Sequence, residues 1–165
     1  MFKPIIAFTA TAAILIASTA VQAGSATLSR IGNTTYYSSS CGLQGSANQI
    51  GNTTYYSFNN GLSGSSTRIG SYTYDNWNDG SYGTTNRIGN TTYYNSNSGL
   101  SGSSYQIGNT TYYNSNSGLS GSSYQIGNTS YYNLNNGYRG TSNQIGNTMY
   151  YNDNVNCWGT YSLLP

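Results

Sequence analysis

The sequence predicts an all-β protein built from tandem strand–turn–strand units, and three observations carry that prediction. A 19-residue pattern recurs seven times without insertion, starting at Arg30, Gln49, Arg68, Arg87, Gln106, Gln125 and Gln144. Tyrosine is abundant, with 19 among 165 residues, and falls at fixed places in the repeat. After the first 23 residues no helical period appears, and Gly, Ser, Asn and Thr dominate. A period this strict means one supersecondary unit packed against copies of itself.

The N-terminal segment differs from the rest. Lys3 is the only lysine, Ile5 to Val21 is an uncharged apolar and small-residue run, and Val21-Gln22-Ala23 fits a signal-cleavage pattern. The strongly apolar part is shorter than the about 20 residues of a membrane span. The expected organisation is a secretion signal over 1–23, a short lead over 24–29, and a seven-repeat β domain with a C-terminal cap over 30–165. The expected location is outside a bacterial cell or on its surface, with the periplasm as the alternative.

Beyond the signal, four arginines (Arg30, Arg68, Arg87, Arg139) face three aspartates (Asp75, Asp79, Asp153), a net charge of +1. Nucleic-acid binding needs a basic patch that neutralises phosphates, so that class is excluded. No basic amphipathic stretch points to membrane insertion after signal removal. Charged residues make up only 5% of the chain. Disordered chains of low hydrophobicity are poor in aromatics, however, and this one is rich in them.

Each unit parses into two strands, Ser103 to Ile107 and Thr110 to Asn114 in the cleanest copy. Gly108-Asn109 forms a two-residue hairpin turn that needs a positive φ. Opposed residues in such a hairpin share a face. One face then carries Ile107, Thr110 and Tyr112, the other Gln106, Thr111 and Tyr113. The position before the isoleucine is Arg or Gln, and a site that accepts Arg reads as solvated. The Ile/Tyr face is therefore the expected core. It consists of Ile31, Ile50, Ile69, Ile88, Ile107, Ile126 and Ile145 with Tyr36, Tyr55, Tyr74, Tyr93, Tyr112, Tyr131 and Tyr150. The second tyrosine column, Tyr37, Tyr56, Tyr94, Tyr113, Tyr132 and Tyr151, becomes an exposed aromatic stripe, interrupted once by Asp75. Such a stripe packs on itself and on Arg stems, or binds a sugar or another copy of the chain.

The chain has no histidine and no glutamate, so Ser-His-acid chemistry and His metal sites are impossible. No phosphate or dinucleotide loop is present, because Ile-Gly-Asn-Thr opens a strand and not a helix. Asp75-Asn76-Trp77-Asn78-Asp79-Gly80 has a calcium-loop spacing but lacks the bidentate Glu. It reads as a polar loop with a surface tryptophan. Asn33, Asn52, Asn90, Asn109 and Asn128 begin Asn-x-Ser/Thr triplets but sit where a turn favours Asn. The reading is a protein that is not an enzyme and uses neither cofactor nor metal.

Gln106-Ile107-Gly108-Asn109 resembles the first half of the repeat in curli-type subunits of bacterial extracellular fibres, a family of strand–turn–strand repeats. Tyr112-Tyr113-Asn114 departs from that family's second Gln, and Arg30, Arg68 and Arg87 replace the first. The resemblance implies a β-solenoid that polymerises. Tyr112-Tyr113 followed by Gly118 is similar to the paired aromatics and glycine of choline- and glucan-binding cell-wall repeats, although the first-strand tryptophan is absent. That resemblance implies sugar binding through aromatic faces.

Two architectures follow, a stacked β-solenoid, which is preferred, and a closed ring of β-hairpins. The repeats contain no proline and no lysine, the usual guards of a strand edge. Uncharged segments such as Thr110 to Asn114 suit edge-to-edge stacking. The expected function is a secreted structural protein that assembles with itself head to tail into a fibre, matrix or surface layer. Binding of a polysaccharide is the second reading and ice binding the third. Cys41 and Cys157 read as one disulfide in an oxidising compartment. In a solenoid the end repeats stand roughly 29 Å apart, too far for a bond within one chain. In a ring they are neighbours.

Overall fold

The computed structural model describes residues 7–9, 12–14 and 24–154. Two short strands, β1 (Ala7–Thr9) and β2 (Ala12–Ile14), pair antiparallel near the N-terminus. The rest of the expected signal, Cys157 and all of the C-terminal cap after Asn154 lie outside the described residues.

Fourteen strands follow, two per repeat. They are β3 (Ser25–Ile31), β4 (Thr34–Ser39), β5 (Gln44–Ile50), β6 (Thr53–Phe58), β7 (Ser63–Ile69), β8 (Tyr72–Trp77) and β9 (Tyr82–Ile88). The second half continues with β10 (Thr91–Ser96), β11 (Ser101–Ile107), β12 (Thr110–Ser115), β13 (Ser120–Ile126), β14 (Thr129–Leu134), β15 (Arg139–Ile145) and β16 (Thr148–Asp153). Each pairs antiparallel with its chain neighbours, and β16 pairs with β3, so the sheet closes into a barrel. The preferred solenoid is thereby corrected to the closed ring. Five of the six residues expected as a lead, Ser25 to Ser29, lie in Ser25–Ile31, the strand that closes the wall.

Closure answers the unguarded edges. A strand without Pro or Lys at its edge needs a partner, and a closed sheet leaves no edge unpaired. The register sets the size. Ile107 pairs with Thr110, and Thr110 with Tyr124, two residues short of the equivalent Ile126. Seven such shifts give a shear of about 14, a strand tilt of roughly 37° and a wall radius on the order of 12 Å.

All Gly-Asn turns gather at one mouth and all four-residue turns at the other. Gly108 holds φ 56° in the short turn and Gly118 φ 81° in the long one, a region that favours glycine. The long turns are cross-linked by an asparagine that recurs in the repeat. Asn116 accepts from the Ser101 amide at 3.0 Å and donates to the Gly99 carbonyl at 2.7 Å, bridging to the preceding long turn. Asn59, Asn78, Asn97, Asn135 and Asn154 do the same, which binds successive hairpins at this rim.

The two faces are the reverse of the sequence expectation. All seven isoleucines point outward, 63–68% exposed, and the first tyrosine column shares that outer face. The second column, Tyr37, Tyr56, Tyr94, Tyr113, Tyr132 and Tyr151, lines the inside. Tyr37 and Tyr56 are buried there, and the phenols of Tyr56, Tyr94, Tyr113 and Tyr151 are raised, chiefly by burial. The error lay in the arginine. An inward position next to a turn stands at the mouth, so its long side chain reaches water although its face is the inner one.

Small residues opposite the inner tyrosines make room for the rings. A Cβ at Gly64 would lie 2.5 Å from the Asn76 carbonyl oxygen and 2.5 Å from Trp77 Cε3. The inner cluster is Ala26, Tyr37, Leu43, Tyr56, Phe58 and Trp77. Tyr56 stacks on Trp77 at 5.3 Å and Tyr37 meets Phe58 edge-on at 6.3 Å. Elsewhere inside, hydroxyls link neighbouring repeats, with Tyr113 to Ser123 at 2.7 Å and Tyr132 to Ser142 at 3.0 Å.

Candidate binding surface

Inverting the faces relocates the candidate site. The aromatic rings open to solvent belong to the first tyrosine column, and not to the second as the repeat pattern suggests. Tyr36, Tyr55, Tyr74, Tyr93, Tyr112, Tyr131 and Tyr150 form a belt around the outer wall, beside the isoleucine ring. Tyr72, Tyr105 and Tyr124 add to it. Cross-strand pairing decides how much of each ring is open. Tyr112 lies opposite Tyr105 and Tyr131 opposite Tyr124, and these pairs stack at 5.0 Å and 4.9 Å. Tyr36, Tyr55 and Tyr93 lie opposite Ser29, Asn48 and Asn86, which are too small to cover a ring face.

At the short-turn mouth, Arg30, Gln49, Arg68, Arg87, Gln106, Gln125 and Gln144 form a ring of donors. Each arginine Nε bonds the glycine carbonyl of its own turn at 3.1 Å. Each glutamine Nε2 makes the same bond at 3.0–3.3 Å.

The acidic cluster does not form one loop. Asp75 lies in β8 on the inner wall, 4% exposed, where Ser66 Oγ donates to it. Trp77 is also inside, not a surface contact. Asp79 sits in the following turn and accepts from the Ser81 amide at 2.9 Å and its hydroxyl at 2.6 Å. Among the described residues no group of three or more acidic, Cys or His side chains could hold a metal ion.

Burial holds the Asp75 carboxyl above the usual 3.8, opposed in part by the Ser66 bond. The folded state therefore binds this proton more tightly than the unfolded chain does. That contribution is complete below about pH 4 and is lost as pH rises through the folded value. Thermal melts of Asp75→Asn should show a smaller fall in stability on going from acid to neutral pH. They should also show a higher melting temperature than the parent at pH 7.

Cys41 sits in the long turn after β4. The fold and surface together define a closed antiparallel barrel of repeated hairpins with an aromatic and aliphatic outer belt. Comparison with known proteins finds no match among family models, curated proteins or solved structures.

Proposed function

We propose that this chain is an exported, non-enzymatic glycan-binding module that lays sugar rings against its outer tyrosine belt. The observation that supports the reading is the belt itself. Large apolar side chains gathered on an outer wall lose stability relative to polar ones, and contiguous patches of this kind mark interaction sites. Tyrosine offers a rigid apolar ring with a polar tip, which suits a ligand that is part apolar face and part hydroxyl. Seven copies around one wall make the site multivalent, so weak contacts at single hairpins add along a polymer. The strands are six or seven residues long, short of the about 9–11 of a membrane-spanning strand.

The test is retention of the mature protein on insoluble polysaccharides. Tyr55→Ala combined with Tyr93→Ala should reduce retention by about tenfold, a loss near 1.4 kcal/mol. The melting temperature should stay within a few degrees, since these rings pack on little. Unchanged retention would refute the tyrosine belt as the binding face.

Self-assembly is the second reading, now by a different route. Edge pairing has no open strand to use, but the exposed isoleucine ring favours side-by-side contact of barrels. Concentration-dependent sedimentation would support it, and monodisperse particles at high concentration would count against it. We also propose that Cys41 bonds Cys157, the only other cysteine, within a single chain.

A further inference from the structure

We propose that the glycan is an acidic polysaccharide, selected by Arg30, Arg68 and Arg87 on one half of the short-turn mouth. The inference deepens the glycan reading above and rests on it.

The ring of donors gives the first reason. Arginine and glutamine make the same bond to the turn glycine, so the turn does not need arginine. What arginine adds is a fixed positive charge and terminal N–H groups for which the described residues offer no partner. Among the described residues no carboxylate stands at this mouth. Asp75 is mid-wall and inside, and Asp79 is in a long turn at the opposite mouth. Asp153 ends β16 at that same opposite mouth, near the Tyr138 hydroxyl. Three unpaired guanidinium groups call for an anionic occupant, and arginine suits planar carboxylates and sulfate-type oxyanions.

The second reason is independent and falls on the same hairpins. All three arginines lie within the first four repeats, while Gln106, Gln125 and Gln144 fill the last three. Most of the uncovered rings fall on the same side of the closed ring. Tyr36, Tyr55 and Tyr93 lie in these repeats and are 49–51% exposed, Tyr150 at 46% adjoins them across the seam, and Tyr112 and Tyr131, at 39% and 36%, are covered by their tyrosine partners. One half of the barrel thus combines open ring faces with unpaired cations. Neighbouring hairpins stand about 10 Å apart along the sheet, so the cations are spread rather than clustered. A polymer carrying one negative group at regular intervals fits that spread better than a compact anion, which would meet a single arginine.

The experiment is isothermal titration of the mature protein with polygalacturonate, with a neutral glucan and with single-stranded DNA. It is done for the parent chain and for R30Q/R68Q/R87Q. The triple variant places at each site the residue that four other repeats carry, so the turn bond and the fold are retained. A thermal melt checks this. The expected result is binding of polygalacturonate that weakens as salt rises, little binding of the other two, and a loss of about tenfold or more in the variant. Equal binding of glucan and polygalacturonate, unaffected by the variant, would overturn the acidic selection and leave the glycan reading standing. Binding of neither sugar would remove both. Arginine-dependent DNA binding as tight as that of polygalacturonate would overturn the proposal in favour of a general polyanion surface.

Discussion

Tyr56→Ala should destabilise the barrel by about 3–5 kcal/mol, the usual cost of deleting a buried aromatic ring. Tyr55→Ala, one residue away, should cost on the order of 1 kcal/mol or less. Tyr56 is 3% exposed, stacks on Trp77 and lies on the inner face. Tyr55 is 51% exposed on the outer one. For a domain of this size the first change should lower the melting temperature on the order of 10 °C and the second by a few degrees at most. The inner site cannot relax cheaply, because the deleted ring also leaves Trp77 without its stacking partner. Urea denaturation of the two variants side by side gives the answer. A larger loss for Tyr55 would restore the faces that the sequence alone suggested and refute the barrel's inside and outside as described.

That pair shows where the sequence was legible. Period, strand pairs and turn chemistry were all open to reading. Thr110–Ser115 and the Gly108 turn lie within one residue of expectation, because hairpin rules are local. Which face is inside is not local. It depends on closure, which only the pairing of Ser29 with Thr148 across the seam reveals. An arginine marks the solvent face within a strand but not where the strand ends at an open mouth, as at Arg30.

A better signal was available in the small residues. Gly102 and Ser104 alternate on the face of Tyr113, and no bulky residue replaces that glycine in any repeat, where only Ala26 departs from it. A glycine recurring opposite a ring marks a concave, crowded surface, whereas the face of Ile107 and Tyr112 carries no recurrent glycine. The asparagine at 59, 78, 97, 116, 135 and 154 was equally visible as a recurrent residue. Its role was not, since it acts on the backbone of the preceding repeat.

Loss of the proposed Cys41–Cys157 disulfide should be the other large effect. Cys41 lies in the turn after β4, and β16 ends at the same mouth, with only β3 between them. Two strand spacings make that gap about 10 Å, and the four residues from Asp153 to Cys157 span up to roughly 13 Å. The chain can therefore close the bond on itself. It would fasten the β3–β16 junction, the one place in the ring where no turn joins neighbouring strands. Closing a loop of more than about 100 residues restricts the unfolded chain by about 4–5 kcal/mol. C41S/C157S should lose stability of that order, a fall in melting temperature on the order of 10 °C. The released seam would also expose the edges of β3 and β16, neither guarded by Pro or Lys. Light scattering of the variant should then rise on standing, while the oxidised parent stays clear. On a non-reducing gel the parent should run as one fast band that slows on reduction. A ladder of covalent multimers would refute the bond within one chain, and an unchanged melting temperature in the variant would refute its role at the seam.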